Sequence, residues 1–247
     1  MKLTVIGCGD AFGSGGRFNT CFMIDTASKR LLLDCGASSL VALKAQKIDL
    51  NSIDGVMLSH LHGDHFGALP FFLLDAQFLA RREKRLSIFG PPGTKARLIA
   101  AMEAFFPDSS KTKWRFPLEI AEITPDVPDE VLGFSVRTAT VIHHSGAPST
   151  AVRLSAGQKI LTYSSDTEWT DALLPIAAGA DLFICECYDH ARDLTGHMSF
   201  AKLKEMRHRF DVRRIMLTHM NPTMLAHADE ARSAGYLIAE DGLLVDI

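Results

Sequence analysis

His60, His62, Asp64 and His65 fall within six residues, directly after the apolar run Val56-Met57-Leu58, and no other stretch restricts the fold of this chain so strongly. Borderline metals such as Zn²⁺ take imidazole nitrogen supplemented by carboxylate oxygen. A lone histidine is usually a satisfied core or surface residue, but four ligand-type side chains at this spacing form a ligand cluster. If the strand runs on through the cluster, His60 and His62 share one face and can grip one ion. Gly63 then lets the chain turn sharply and aim Asp64 and His65 at a second ion. Four side chains cannot complete two sites, so the fold has to bring further ligands to this point from elsewhere.

The chain has 247 residues, within the range of a large single α/β domain, and the expected organisation is one domain over 1–247. Hydrophobic residues make up 47% and charged residues 22%, which excludes broad disorder. With 26 Lys and Arg against 29 Asp and Glu, the formal charge is −3, so no whole-molecule basic field exists for gripping nucleic acid. The densest basic cluster, Arg81, Arg82, Lys84 and Arg85, reads as a solvated helix end. Five cysteines, an odd number, with Cys185 and Cys187 following Leu182-Phe183-Ile184, point to buried thiols and away from a disulfide framework. The N-terminus opens as a strand and not as a signal peptide, and no apolar run is long enough to span a bilayer. The expected location is cytoplasmic, with no membrane partner.

Residues 2–6 read as a buried strand followed by a glycine-dense loop, Gly7 to Gly16. Its spacing is wrong for a dinucleotide fingerprint and no helix follows. Strands are expected at 21–26 and 30–34 as a hairpin, then a helix at 38–46 and the strand leading to the histidines. A buried helix from Ala68 to Ala80 tolerates Pro70 in its first turn, and its positive N-terminal end favours an anion near the ligands. A strand at 86–89, a helix at 94–106 and an irregular stretch at 107–117 come next. Strands at 118–123, 133–142, 150–155 and 159–164 read as a meander, implying a mixed or antiparallel sheet. Beyond it the pattern alternates: helix 170–178, strand 181–185, helix 199–209 capped by Ser199, strand 213–218, helix 223–234 and strand 243–246. The fold class that buries these surfaces is α/β (α+β), a four-layer αβ/βα sandwich of two mixed sheets with helices on the outer faces.

Rigid strand ends are where the missing ligands belong. His143 and His144 follow Val141-Ile142, Asp166 follows Leu161 to Ser164, and His219 follows Ile215 to Thr218. These residues carry a resemblance. His60-Leu61-His62-Gly63-Asp64-His65, a His followed by Ser-Gly-Ala-Pro-Ser, then Ser165-Asp166-Thr167 and Leu217-Thr218-His219 resemble the metallo-β-lactamase superfamily along nearly the whole chain. The segments from Gly7 onwards, Ile88-Phe89-Gly90-Pro91 and Ala180-Asp181-Leu182 before Glu186 narrow the resemblance to its ribonuclease Z-like branch, which includes compact cyclic-nucleotide and cyclic-phosphate phosphodiesterases. The resemblance implies one metal held by His60, His62 and His144, a second held by Asp64, His65 and His219, and Asp166 bridging them. His144 is preferred to His143 on the spacing to Ser145-Gly146-Ala147-Pro148, although the residues alone leave the pair open. A homodimer is a further implication.

Two divalent ions roughly 3.5–4 Å apart share a water, lower its pKa and clamp the oxygen on which charge develops, so a metal-bridging hydroxide is the expected nucleophile. Zn²⁺ fits the donors best, with Mn²⁺ or Fe as alternatives. Asp64 can also orient the nucleophile. The departing alkoxide needs a proton, and the resemblance offers His197 as general acid with Glu186 fixing its tautomer. His190 is the rival acid. His208 reads as solvated, His227 as structural, Asn221 and His227 as within reach of the pocket mouth, and Trp114 and Trp169 as packing residues. The expected function is a dinuclear phosphodiesterase on a small cyclic or nucleotide-like substrate. A tRNA 3′-processing nuclease is the alternative, less favoured because no glycine- and basic-rich arm is found between the histidine cluster and the C-terminus. A lactone, thioester or β-lactam hydrolase is another, and a metal-dependent binder the last.

Overall fold

Alternation along the strands sets the architecture. The structure, a computed structural model, describes residues 1–247. The first half builds β1 (Lys2–Gly7), β2 (Cys21–Asp25), β3 (Arg30–Leu33), α1 (Ser39–Ala45), β4 (Gly55–Met57), α2 (Gly63–Phe66), α3 (Leu69–Phe78), β5 (Leu86–Gly90), α4 (Thr94–Phe105) and β6 (Leu118–Glu122). The second builds β7 (Asp129–Val131), β8 (Phe134–Thr140), β9 (Thr150–Ala156), β10 (Lys159–Tyr163), α5 (Leu173–Ala177), β11 (Leu182–Glu186), α6 (Phe200–Met206), β12 (Ile215–Thr218), α7 (Pro222–Ala226), α8 (Ala228–Ser233), β13 (Leu237–Ile238) and β14 (Leu244–Asp246).

In the first sheet, ordered β14-β1-β2-β3-β4-β5-β6, successive side chains enter two different cores. Phe22, Ile24, Leu31, Leu33 and Met57 face the second sheet, while Met23, Leu32, Val56 and Leu58 face α1, α3 and α4. The second sheet, β13-β12-β11-β10-β9-β8-β7, does the same: Leu161, Tyr163, Leu182 and Ile184 point inward, and Phe183, Cys185 and Leu217 pack under α5 to α8. Strands apolar on both faces can be buried only between layers. The result is the expected four-layer sandwich of two mixed sheets.

Several local expectations change. The strand before the histidines stops at Met57, because the Ser59 N–H goes to Asp34 Oδ1 (2.7 Å) instead of a neighbouring strand. His60 and His62 therefore stand on a loop, and α2, ahead of α3, carries Asp64 and His65. β6 does not join the meander. It follows the β5-α4 crossover and pairs parallel to β5, as a βαβ return requires. The short strands β7 and β13 carry too few residues for a readable pattern. The helix expected at 223–234 divides at His227, whose backbone leaves helical geometry (φ −109°, ψ 15°).

Arg82 is a correction of another kind. It is 1% exposed, and its guanidinium donates to the carbonyls of Leu50, Ile53, Lys84 and Arg85, a buried strut and no solvated helix end. All five cysteines are buried free thiols. No helix is long and apolar enough to cross a membrane.

Candidate metal centre

Four strand ends and one loop converge where the two sheets meet. β3, β10 and β12 are each followed closely by a non-glycine residue in the left-handed region: Asp34 (φ 61°), Ser165 (φ 60°) and His219 (φ 59°). Such residues are uncommon and cluster where the surroundings over-determine them, as at functional sites. Here each sharp turn delivers its own or the next side chain to one pocket.

His60, His62 and His143 form one group of donor atoms, and Asp64, His65, Asp166 and His219 a second. Asp166 Oδ2 sits between them, 3.2 Å from His65 Nε2 and 3.3 Å from His219 Nε2, and 3.9 Å from both His60 Nε2 and His143 Nε2. Asp64 Oδ2 lies 3.3 Å from His65 Nε2 and 3.2 Å from His219 Nε2. His62 Nδ1 and His143 Nε2 are 2.9 Å apart.

The hydrogen bonds behind these rings settle their tautomers. Ser59 Oγ donates its proton to Asp34 Oδ2 (2.7 Å), so it accepts from His60 Nδ1 (3.1 Å) and leaves the His60 Nε2 lone pair facing the pocket. Asp34 Oδ2 also accepts from His65 Nδ1 (2.8 Å), which frees His65 Nε2 in the same way. The Gly196 carbonyl accepts from His143 Nδ1 (2.8 Å), which frees His143 Nε2. Carboxylates and carbonyls behind ligating imidazoles are the usual supports of a metal site. His60 Nε2, His65 Nε2 and Asp166 Oδ1 are buried without any hydrogen-bond partner, an expensive arrangement unless a cation satisfies them. The residues present fit divalent ions.

Charge is distributed unevenly. Burial and the neighbouring His65 hold the His60 imidazole well below its ordinary pKa, and burial lowers His143. Burial opposes protonation of His65 and His219 too, but the Asp166 and Asp64 carboxylates outweigh it and push both upward.

The structure distinguishes His143 from His144, the expected ligand. Beyond β8 the chain bends at Ile142, yet burial still alternates: Val141 and Ser145 are buried, Ile142 and His144 exposed, and His143 half-buried. Period-two alternation gives His143 the inward position, and His144 joins neither cluster.

Next to the clusters, His197 Nδ1 lies 3.2 Å from Glu186 Oε2, and Glu186 Oε1 accepts the Thr167 N–H. Burial disfavours an imidazolium here, but the Glu186 carboxylate outweighs it and raises His197 to about 9. The His197 ring stacks on Tyr188 (centroids 4.6 Å apart) and on His219 (5.4 Å). His190 stands apart, stacked on exposed His227 (3.7 Å) and paired with Glu230 (2.9 Å). Asn221 caps α7 by accepting from the Met224 N–H (2.9 Å), and its amide donates to Asp189 (3.0 Å). His208 is exposed, while Trp114 packs on Phe116 and Trp169 on Phe210. Sequence reasoning had no role for Asp34, Ser59, Thr167, Glu168 or Gly196. Only Asp34 carried a signal, a carboxylate directly after the apolar run Leu31-Leu32-Leu33.

The chain is 29% identical over 228 residues to the probable metallo-hydrolase YhfI of Bacillus subtilis, an alignment covering 89% of this chain and 87% of that one. The crystal structure of YhfI, described as a metallo-β-lactamase fold protein, superposes with a TM-score of 0.79 at 26% identity over 99% of this chain and 98% of that one. Ribonuclease Z of Lachnoclostridium phytofermentans is 25% identical over 276 residues, covering 91% and 88%. The short form of human tRNase Z, 21% identical, shares the fold with a TM-score of 0.81 over 100% and 99% of the two chains. Residues 1–241 match the profile of the family described as anti-Pycsar protein Apyc1. That match spans both ligand clusters and the His197–Glu186 pair, and the chain accordingly belongs to this family, within the ribonuclease Z-like branch of the metallo-β-lactamase fold.

Proposed function

We propose that the protein is a phosphodiesterase dependent on two divalent metal ions, acting on a small cyclic or nucleotide-like substrate. His60, His62 and His143 would hold one ion, Asp64, His65 and His219 the other, and Asp166 would serve both. Such ions supply Lewis acidity at a phosphoryl oxygen and a water of lowered pKa. Asp64, 11% exposed at its side chain, is placed to orient the attacking water. The water gives up one proton to solvent and its oxygen bonds to phosphorus, the P–O bond to the leaving group breaks, and the alkoxide takes the proton from His197 Nε2. Glu186 keeps the other ring nitrogen protonated and holds the plane of the ring.

The observation that carries this reading is the Glu186–His197 pair, whose ring is near Asp166 and His143. A carbonyl hydrolase expelling a stabilised leaving group has little need of so basic an acid. A positioned general acid is worth about 10²–10⁴-fold. His197→Ala should therefore cost about that factor on a cyclic nucleotide, whose leaving group is an alkoxide, and far less on bis-p-nitrophenyl phosphate. Equal losses on both substrates would remove the assignment. Metal-loaded wild-type protein that cleaves lactones or thioesters but no phosphodiester would move the activity to carbonyl chemistry.

A second reading, cleavage of tRNA precursors, is favoured by the relatives named ribonuclease Z. It predicts salt-sensitive binding of tRNA, which a gel shift over a range of ionic strength measures.

A further inference from the structure

One loop holds both a metal-facing imidazole and the acid. Its buried glycine, Gly196, has φ +81°, and a Cβ built on it would lie 2.8 Å from His143 Nδ1. The Gly196 carbonyl is the acceptor for His143 Nδ1, and the next residue is His197. The position of the Gly196–His197 peptide therefore bears on both rings. Residues 191–193 and 195, just ahead of it, are exposed.

The Gly196 N–H donates to Glu168 Oε1 (2.8 Å). Glu168 is itself anchored at two points. Its N–H donates to the Ile142 carbonyl (3.1 Å), and its own carbonyl accepts from Thr167 Oγ1 (2.7 Å), which also accepts the Ile142 N–H (3.1 Å). Ile142 directly precedes His143, and Glu168 stands two residues after Asp166. Its carboxylate thus ties the strand end bearing Asp166, the segment bearing His143 and the loop bearing His197 into one unit. A buried N–H that loses its acceptor costs free energy, so without Glu168 the Thr195–Gly196 peptide has reason to rotate, and through the Gly196 Cα this moves the adjoining Gly196–His197 peptide whose carbonyl holds His143.

We infer that Glu168 is a positioning residue, which by accepting the Gly196 N–H sets His143 toward the metal centre and His197 toward the leaving group at once. The His197 half of this inference rests on the function proposed above, whereas the His143 half needs only that the clusters bind metal.

The test compares wild type, Glu168→Ala, Glu168→Gln and Glu168→Asp in two measurements. The first is Zn²⁺ affinity by competition with a chromogenic chelator. Loss of a support behind a metal ligand costs about 10–100-fold in affinity, and Glu168→Ala should show a loss in that range at one of two sites. Glu168→Gln, which keeps an acceptor oxygen, should return to within a few-fold of wild type. The second measurement, at saturating Zn²⁺, is kcat on a cyclic nucleotide and on bis-p-nitrophenyl phosphate. The alanine variant should lose about tenfold or more on the first and change little on the second, since only an alkoxide needs the acid. If Glu168→Ala does not fold, Glu168→Asp, whose acceptor is drawn back by one methylene, should show the same selectivity at smaller size. Unchanged Zn²⁺ affinity in the alanine and aspartate variants, or equal kcat losses on both substrates, would overturn the inference. If the wild type cleaves neither phosphodiester, the proposed function fails, and the Zn²⁺ measurement still decides the role of Glu168 toward His143.

Discussion

The two ligand clusters lie side by side and share Asp166, yet they are chemically unlike. One is three imidazoles, of which burial holds His60 and His143 below their ordinary pKa; the other sets two imidazoles against two carboxylates. A dication entering the carboxylate cluster meets opposite charge in a desolvated place, where electrostatic attraction is strong. One entering the imidazole trio meets lone pairs, with only Asp166 to balance its charge. The two sites should therefore fill unequally, the carboxylate cluster first. The trio is the half that depends on precise orientation, and the Ser59 and Gly196 contacts supply it.

Breaking the shared element should have the largest effect. Asp166→Ala removes the oxygen common to both clusters, and Zn²⁺ titration should show weakened binding at both sites, with phosphodiester hydrolysis down at least about 10³-fold. Asp34→Ala comes next and separates the halves. Asp34 supports His65 directly and His60 only through Ser59, so the carboxylate cluster should lose about 10–100-fold in affinity and the trio less. Removing one partner of this buried pair should also cost about 3–5 kcal/mol of stability, measurable by urea unfolding of the metal-free protein.

The smallest effect concerns the frame around the carboxylate cluster. Asp189 is 2% exposed and ties the loop after β11 to the segment after His219, accepting from Asn221, Thr223 and the N–H groups of Ala191 and Arg192. Burial opposes its ionisation, but these donors outweigh it and hold its pKa below the ordinary carboxylate value. A depressed folded pKa means the contribution is present above the unfolded value, about 3.9, and is lost as pH falls from there toward the folded value. Asp189→Asn should remove that part of the acid sensitivity, about 1–2 kcal/mol. Unfolding curves at pH 5 and pH 3 that show the same pH dependence in both proteins would deny Asp189 this role.

The same contrast explains what could be read from the chain. The sandwich was legible because its strands are apolar on both faces, as Phe22-Met23-Ile24 and Leu31-Leu32-Leu33 illustrate. The carboxylate cluster was legible because its residues follow apolar runs or sit in the histidine motif. The trio was harder. His143 and His144 are adjacent, and spacing to the downstream Ser-Gly-Ala-Pro favoured His144, whereas His143 is the one grouped with His60 and His62. Carrying strand alternation on from Val141 through Ser145 would have favoured His143. The supporting groups were hidden for a physical reason: the Gly196 carbonyl, the Thr167 N–H and the Glu168 carboxylate act through contacts across 53, 19 and 28 residues, which no local pattern records. Arg82 escaped likewise, since its partners are backbone carbonyls as far as 32 residues away.

The claim that two unlike metal sites share one carboxylate is tested most directly by bound-metal stoichiometry. Zn²⁺ equilibrium dialysis with elemental analysis would be applied to wild type, His143→Ala and His144→Ala. Two equivalents are expected in the wild type and in His144→Ala, and one in His143→Ala, retained in the carboxylate cluster. A wild type that holds a single equivalent at saturation, or a His144→Ala variant that loses one while His143→Ala keeps two, would contradict it.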